Sequence, residues 1–211
     1  MSQTLIIDYG AGNLRSVLNS ARAVAFAGEN IELCGDVALI AKADRIILPG
    51  VGAYHDCRAG LTKVDGMVEA LNEFVISERP FLGVCVGMQL LVNSGDEHGI
   101  HTEGLGWLSG HVSDITPSNP DAKIPHMGWN ALNIKQAHPL LNDIEDGSDV
   151  YFVHSYAVQN APQNECIAST DYFGDVTAVI GKDNIVGTQF HPEKSQKVGL
   201  QMIRNFLDWR P

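Results

Sequence analysis

The first half of the chain alternates between short apolar runs and longer segments in which apolar residues recur with helical spacing. Residues 13–26 and 61–76 carry apolar side chains every three or four positions, and this period predicts helices. The short apolar runs predict buried strands, and they lie at residues 5–7, 31–34, 45–48 and 81–84. Strands that alternate with helices favour a largely parallel open sheet covered by helices.

The second half has a different pattern, which indicates mainly β structure. Short strand patterns separated by turn residues lie at residues 110–115, 129–134, 150–154, 177–180 and 185–189. They predict an antiparallel β layer added to the parallel sheet. A helical pattern over residues 197–209 closes the chain. We therefore expect an α/β fold, and the absence of a repeat or a long linker favours a single domain over residues 1–211.

Composition and charge argue against two large classes of partner. The net charge is −11 and the chain has no cluster of Lys or Arg, so binding to nucleic acid or to an anionic membrane is not expected. The longest apolar stretch, residues 81–92, is too short to span a bilayer. The N-terminus lacks a basic segment and Asp8 interrupts its apolar run, which argues against a signal peptide. We expect a cytoplasmic protein.

The cysteines and histidines do not form a convincing metal-binding pattern. His98 and His101 lie near several acidic residues between positions 96 and 103, which imitates a metal cluster. That segment has no cysteine and no helical apolar stripe, so we interpret it as a solvated loop and expect no metal. Together with the expected cytoplasmic location, the absence of a C-x-x-C pair argues for reduced thiols. The four cysteines are Cys34, Cys57, Cys85 and Cys166.

Cys85 lies where a strand pattern ends, in Gly83-Val84-Cys85-Val86-Gly87. A buried strand that ends in Gly-x-nucleophile-x-Gly and opens into a helix is the nucleophile-elbow pattern, in which glycines let neighbouring segments pass close to a strained turn. Residues 88–92 are expected to form the helix, whose N-terminus would favour a thiolate. Taken alone, the motif leaves a second interpretation open, that of a buried structural cysteine.

A second segment, Gln189-Phe190-His191-Pro192-Glu193, follows a strand pattern near the end of the chain. His191 and Glu193 are two positions apart, so an extended backbone would place them on one face. A carboxylate bound to one ring nitrogen leaves the other facing a thiol, as in nucleophilic triads. A surface His-Pro-Glu turn is the simpler alternative. An elbow cysteine combined with His-x-Glu after a late strand favours the triad.

Further motifs point to one family. They are Ile6-Ile7-Asp8-Tyr9-Gly10-Ala11-Gly12-Asn13, Leu48-Pro49-Gly50-Val51-Gly52, Pro125-His126-Met127-Gly128-Trp129-Asn130 and His154-Ser155-Tyr156. With the Cys85 and His191 segments, they resemble the class I glutamine amidotransferases. Within that family they are most similar to the glutaminase subunits of imidazole glycerol phosphate synthase. The resemblance extends from residue 4 to the C-terminus, and the fold it implies is the α/β fold expected above.

The resemblance implies an activity and assigns roles in it. Glutamine would be hydrolysed to glutamate and ammonia through a thioester on Cys85. His191 would transfer the protons, and Glu193 would fix the tautomer of its imidazole. Neither a metal nor another cofactor is required for this chemistry.

The resemblance also implies which groups hold the substrate and the oxyanion. The oxyanion donors would be backbone N–H groups of Val86 at the elbow and of Val51 and Gly52 in the Pro-Gly-Val-Gly turn. On its own, that turn is equally consistent with a plain β-turn. Glutamine would be held by Gly52, Gln89 and the segment His154-Ser155-Tyr156. Gln89 has an alternative role as a helix residue that hydrogen-bonds its own loop.

A partner is implied as well, because ammonia released into water would be protonated and lost. By resemblance the partner is a cyclase subunit of (β/α)8-barrel type that forms a heterodimer with this chain and makes imidazole glycerol phosphate in histidine biosynthesis. We expect Trp129 and Lys194 at the interface, with burial of Trp129 in its own β layer as the alternative. Other possible functions are the glutaminase subunit of an anthranilate or aminodeoxychorismate synthase, or a non-catalytic binding subunit.

Overall fold

The computed structural model describes residues 2–211, and its first half alternates strands and helices as the hydrophobic pattern predicts. Strands β3 and β4 are buried along their whole length, which explains their continuous apolar sequence. The elements are β1 (Ser2–Ile7), α1 (Leu14–Ala23), β2 (Glu29–Cys34), α2 (Val37–Ile40), β3 (Arg45–Gly50), α3 (Tyr54–Lys63), α4 (Met67–Ile76), β4 (Phe81–Cys85) and α5 (Val86–Gln89).

The second half is mainly β structure and ends in one long helix. Two short 3-10 turns, Pro139–Leu141 and Pro192–Lys194, interrupt it. Among residues 2–211 no helix has the length and apolar character needed to cross a membrane. The elements are β5 (Ser94–Glu97), β6 (Ile100–Glu103), β7 (His111–Asp114), β8 (His126–Ala131), β9 (Asn133–Ile134), β10 (Asp149–His154), β11 (Tyr156–Gln159), β12 (Cys166–Asp171), β13 (Asp175–Lys182), β14 (Ile185–Thr188) and α6 (Gln196–Asp208).

An eight-stranded sheet of order β2-β1-β3-β4-β14-β13-β12-β9 forms the centre of the fold. The strands from β2 to β14 in this order are parallel neighbours, and β13, β12 and β9 continue the sheet in antiparallel fashion. A four-stranded sheet, β11-β7-β5-β6, and a two-stranded ribbon, β10-β8, complete the β structure. The predicted α/β class is confirmed, and part of the antiparallel layer is an extension of the central sheet.

The helix predicted over residues 61–76 is wrong, because two helices occupy this segment. Helix α3 ends at Lys63 and α4 begins at Met67. Between them Val64 has an extended backbone with ψ of 107°, and Gly66 has φ of +75°, a conformation that suits glycine. Val64 and Val68 both pack against the core. The apolar spacing therefore continues across the break between α3 and α4, and the spacing alone does not show where the first helix ends.

Two further expectations fail near the elbow. The helix expected at residues 88–92 is the four-residue α5, which begins immediately after the cysteine. The segment interpreted as a solvated loop around residues 96–103 is an antiparallel hairpin of β5 and β6. Most side chains of this hairpin are exposed or half-buried, so no alternating apolar pattern marks its strands. Strands β11 and β12 were also not predicted.

Three glycines let the elbow pack against the strand beside it. A β-carbon on Gly87 would overlap the carbonyl oxygen of Leu48 in β3. A β-carbon on Gly83 would lie 2.6 Å from the carbonyl oxygen of Gly87. A β-carbon on Gly50 would lie 2.6 Å from the backbone nitrogen of Gly87. The backbones of β3, β4 and α5 therefore touch directly, and no side chain fits between them.

Replacing Gly87 by alanine should destabilise the protein by about 3 kcal/mol, because an added methyl in a fully packed site must displace backbone. Gly28→Ala is the matched control, since Gly28 has φ of +82° but open space around its Cα. That change should cost only about 1 kcal/mol of backbone strain. Urea unfolding of both variants measures the difference. Equal losses would show that close packing at the elbow is not the constraint.

Candidate active site

Cys85 is the last residue of β4, and its backbone bends sharply into α5. Its φ of +55° and ψ of −114° are sparsely populated by L-amino acids, as expected for a strained elbow. Gly50, at the end of β3, is the ladder partner of Cys85. The Pro-Gly-Val-Gly turn therefore starts beside the thiol, and the arrangement predicted from the two glycine motifs is present.

His191 and Glu193 form a close pair that is almost completely buried. Nδ1 of His191 lies 2.8 Å from Oε1 of Glu193, and both side chains are 2% exposed. The expected extended backbone is found at His191, with φ of −101° and ψ of 98°, but it does not continue, because the 3-10 turn Pro192–Lys194 carries Glu193. The Ser195 hydroxyl donates to the His191 carbonyl oxygen at 2.7 Å and closes this turn. The pairing therefore depends on a tight turn.

The surroundings of His191 favour its protonated form. Burial by itself lowers its pKa, but hydrogen bonds with Cys85 and Glu193, and the negative charges of both groups, outweigh burial and raise the pKa to about 9. The imidazole can therefore hold a proton beside the sulfur at neutral pH. Oε2 of Glu193 is buried and has no hydrogen-bond partner among residues 2–211, so the imidazole is the only close hydrogen-bonding partner of this carboxylate there.

Two side chains donate hydrogen bonds to carbonyl oxygens of the Pro-Gly-Val-Gly turn. The Tyr9 hydroxyl donates to the Pro49 carbonyl oxygen at 2.8 Å, and the Cys57 thiol donates to the Val51 carbonyl oxygen at 3.4 Å. Gly52 has φ of +94° with open space around its Cα. These contacts orient the peptide units from which the expected oxyanion donors come, and Tyr9 and Cys57 were not expected to do so.

A cavity of about 700 Å³ opens at the sulfur of Cys85. Every residue expected to hold substrate or oxyanion lines it, together with His191 and Lys194. Those residues are Val51, Gly52, Val86, Gln89, His154, Ser155 and Tyr156. Sequence reasoning missed other lining residues, which include Asn13, Glu97, His98 and Asp114.

Gln89 is held across the site and does not hydrogen-bond its own loop. Its side-chain nitrogen donates to the Tyr156 carbonyl oxygen at 2.9 Å and to Oε1 of Gln189 at 3.0 Å. Gln189, another residue that the sequence did not single out, places its side-chain nitrogen 3.8 Å from the sulfur of Cys85. The only sequence signal for Gln189 is its place two residues before His191.

Glu97 was assigned to a solvated loop, yet it reaches the cavity from the β5–β6 hairpin. Its Oε2 accepts a hydrogen bond from the backbone nitrogen of Tyr54 at the start of α3. The acidic and histidine residues on the outer part of this hairpin pair with one another. His101 lies 2.6 Å from Asp96 through Nδ1 and 3.3 Å from Glu103 through Nε2. Within residues 2–211 no group of these side chains is arranged to hold a metal ion.

Trp129 lies on the outer face of the β10–β8 ribbon with 47% of its side chain exposed. Its ring meets Tyr151 of β10 edge to face, with centroids 5.9 Å apart, and Nζ of Lys194 lies 5.8 Å from the centre of the Tyr151 ring. Met127 on the same strand is 62% exposed. The alternative that Trp129 is buried in its own β layer is therefore disfavoured.

The family model of glutamine amidotransferase class-I matches residues 5–209. The chain belongs to the class I glutamine amidotransferase family. The elbow cysteine and the buried histidine–glutamate pair are consistent with this enzyme family. The resemblance found in the motifs is thereby confirmed, and the chain is a glutamine amidotransferase.

Curated relatives narrow the comparison within the family. The imidazole glycerol phosphate synthase subunits HisH of Brucella suis biovar 1 and of Rhodospirillum rubrum are each 53% identical to the chain, with 98% of both chains covered. Solved structures agree in fold at low identity. PurLQS from Thermotoga maritima superposes with a TM-score of 0.72 at 18% identity, and 98% of each chain is covered. The crystal structure of a glutamine amidotransferase gives a TM-score of 0.72 at 14% identity, with 97% of each chain covered.

The influence of Cys85 on His191 in this amidotransferase predicts a measurable change in the pKa of His191. In Cys85→Ala the pKa of His191 should fall by at least about one pH unit, because the sulfur supplies both a hydrogen bond and a negative charge. Cys34→Ala, which removes another buried thiol, should leave that pKa unchanged. NMR titration of the histidine side chains measures both. A His191 pKa that is the same in Cys85→Ala as in the native protein would show that the two groups do not interact.

Proposed function

We propose that the chain is the glutaminase subunit of an imidazole glycerol phosphate synthase, acting in histidine biosynthesis in the cytoplasm. It hydrolyses glutamine at Cys85 and passes the ammonia to a cyclase subunit. The observation that carries the chemistry is the buried His191–Glu193 pair beside a strained elbow cysteine. The near-complete coverage of the HisH relatives at 53% identity supports the choice of synthase.

Hydrolysis takes place in two halves. The Cys85 thiolate attacks the side-chain amide carbon of glutamine, and the carbonyl oxygen becomes an oxyanion that the N–H groups of Val86 and of Val51 or Gly52 stabilise. His191 gives its proton to the nitrogen, the C–N bond breaks, and ammonia leaves a thioester. His191 then takes a proton from water, which attacks the thioester and releases glutamate and the thiolate.

Glu193 and the neighbouring peptide groups keep this machinery in place. Glu193 accepts from Nδ1 of His191, so Nε2 is the ring nitrogen available for the sulfur and the leaving group. A carboxylate that is 2% exposed is costly to bury, and the imidazolium compensates that cost when the thiolate forms. The contacts of Tyr9 and Cys57 with the 49–52 turn limit which amides can face the oxyanion.

The cavity suits one glutamine molecule. Its walls combine the reactive cysteine with polar groups that can receive the α-amino and α-carboxylate ends of an amino acid. Gly52, Gln89 and the segment His154-Ser155-Tyr156 surround it, and Glu97 adds a negative charge on the hairpin side. A cationic amino group would therefore find both carbonyl and carboxylate acceptors.

The partner surface is proposed around Trp129 and Lys194. An exposed tryptophan beside exposed Met127 is the type of apolar patch that a protein partner covers. Lys194 lines the cavity and also lies over Tyr151 of the ribbon, so this surface and the cavity are adjacent. A (β/α)8-barrel cyclase docked here would receive ammonia without its passage through bulk water.

Cys85→Ala tests the proposed division of labour. In the complex with the cyclase, this variant should lose glutamine-dependent synthesis and keep ammonia-dependent synthesis, because only the first half-reaction needs the thiol. Cys166→Ala, at a half-buried cysteine outside the cavity, should keep both activities. Product formation with each nitrogen source gives the answer. Continued glutamine hydrolysis by Cys85→Ala would remove the proposed nucleophile.

Trp129→Ala tests the proposed docking face. Loss of a tryptophan anchor should raise the Kd for the cyclase roughly 30-fold, equivalent to about 2 kcal/mol. The melting temperature of the free subunit should change by less than about 2 °C, because the side chain is exposed there. Ile76→Ala, at another exposed apolar residue, is the control and should leave Kd unchanged. A large loss of subunit stability with normal binding would place Trp129 in the core.

A further inference from the structure

A continuous chain of hydrogen bonds runs from strand β8 towards the active-site cysteine. The side-chain nitrogen of Asn130 lies 3.3 Å from Nε2 of His126. Nδ1 of His126 lies 3.0 Å from Nε2 of His154, and Nδ1 of His154 lies 3.0 Å from the carbonyl oxygen of Tyr156. Each ring nitrogen in this chain has one partner.

The groups at the two ends of this hydrogen-bond chain determine which ring nitrogens carry a hydrogen. A carbonyl oxygen can only accept, so Nδ1 of His154 must carry a hydrogen. The amide of Asn130 is oriented by its own contacts, since its oxygen accepts from Ala131 N at 2.9 Å and its nitrogen donates to the Asp171 carbonyl at 2.9 Å. That nitrogen therefore donates to Nε2 of His126, which leaves Nδ1 of His126 to donate to His154.

Both histidines are buried and neutral, as this arrangement requires. His126 is stacked between Phe152 and Tyr172, with ring centroids 4.6 and 4.0 Å away. Burial lowers the pKa of His126 to about 4. For His154 burial is again the main cause, and with the nearby His126 and His191 it lowers the pKa to about 4. Neither ring carries a charge at neutral pH, so each donates at one nitrogen and accepts at the other.

The Tyr156 carbonyl oxygen links this hydrogen-bond chain to the sulfur of Cys85. The same oxygen also accepts a hydrogen bond from the side-chain nitrogen of Gln89. That nitrogen donates its second hydrogen to Oε1 of Gln189, and the side-chain nitrogen of Gln189 in turn donates to the sulfur of Cys85. With both hydrogens of its amide group used, Gln89 is held with its oxygen available to the cavity. The position of the Tyr156 carbonyl therefore affects both amides.

We infer that His126 and His154 are positioning residues of the glutaminase site, which fix the Tyr156 carbonyl and through it the amides of Gln89 and Gln189. This inference rests on the proposed function. It also changes the expected role of His154, because both of its ring nitrogens are bonded inside the protein and neither is free to contact glutamine. A purely structural aromatic stack at His126 is the alternative that an experiment must separate.

The tautomers of the native protein provide the first test, and they require no activity. Two-bond ¹⁵N–¹H NMR correlations of the full chain at neutral pH distinguish Nδ1–H, Nε2–H and cationic rings. We expect both His126 and His154 to be neutral and protonated at Nδ1. An Nε2–H tautomer or a cation at either position would overturn the inference whatever the reaction proves to be.

Kinetics of the complex with the cyclase provide the second test. His126→Phe keeps a ring between Phe152 and Tyr172 but removes the donor, and we expect about a tenfold loss of glutaminase kcat, the size typical of a buried polar group left without its partner. His126→Asn keeps a donor close to the position of Nδ1, so it should restore kcat to within about threefold of the native value. KM for glutamine should change less than kcat, because His126 does not line the cavity.

His138→Phe is the matched control, since His138 is a half-buried histidine that packs against Trp209 on another part of the fold. It should leave kcat unchanged whatever it does to the melting temperature. Equal kcat values for His126→Phe, His126→Asn and the native protein would overturn the inference. A native complex without any glutaminase activity would instead refute the proposed function, and the tautomer test would still decide the hydrogen-bond chain.

Discussion

The direct contact between the backbones of β3, β4 and α5 is the constraint on which the site depends. Gly87 has no room for a β-carbon against Leu48, and Cys85, where β4 ends and α5 begins, has a positive φ. Such strain persists only where the surrounding structure overdetermines it, and here two fully buried parallel strands do so. The same contact places the 49–52 turn beside the sulfur. This backbone contact therefore positions both the nucleophile and the expected oxyanion donors.

Electrostatics at the site follow from which groups are buried with a partner. His191 is buried with Glu193 and Cys85, and their hydrogen bonds and charges favour its protonated form despite burial. His126 and His154 are buried without a carboxylate or thiolate partner, so the cost of placing a charge away from water lowers the pKa of both rings, and the nearby His191 adds to the effect at His154. The protonated imidazole is therefore kept beside the reacting sulfur.

The β10–β8 ribbon connects the site to the outside of the molecule. Alternate residues of β8 point to opposite faces, so Met127 and Trp129 are exposed while His126 is buried against Phe152. One strand therefore carries both the proposed docking patch and the beginning of the hydrogen-bond chain.

The sequence by itself determined the class of fold, the family and the residues expected to react. Continuous apolar runs identified the buried strands, and the glycines around Cys85 predicted the elbow because only a missing side chain permits that packing. The sequence failed where the signal was absent or misleading. The apolar period ran through the break at Gly66, and the β5–β6 hairpin is too exposed to show alternation.

Apart from the His191–Glu193 pair, only the tertiary structure decided which polar groups meet. Gln189 and Cys85 are 104 positions apart, Gln89 and Gln189 are 100 apart, and no local pattern encodes these contacts. The same holds for the His126–His154 pair, whose tautomers are fixed by an amide and a carbonyl on other parts of the ribbon and its neighbours. Periodicity reports which side of an element is buried. Hydrogen-bond geometry depends on how elements pack, and packing is a property of the whole chain.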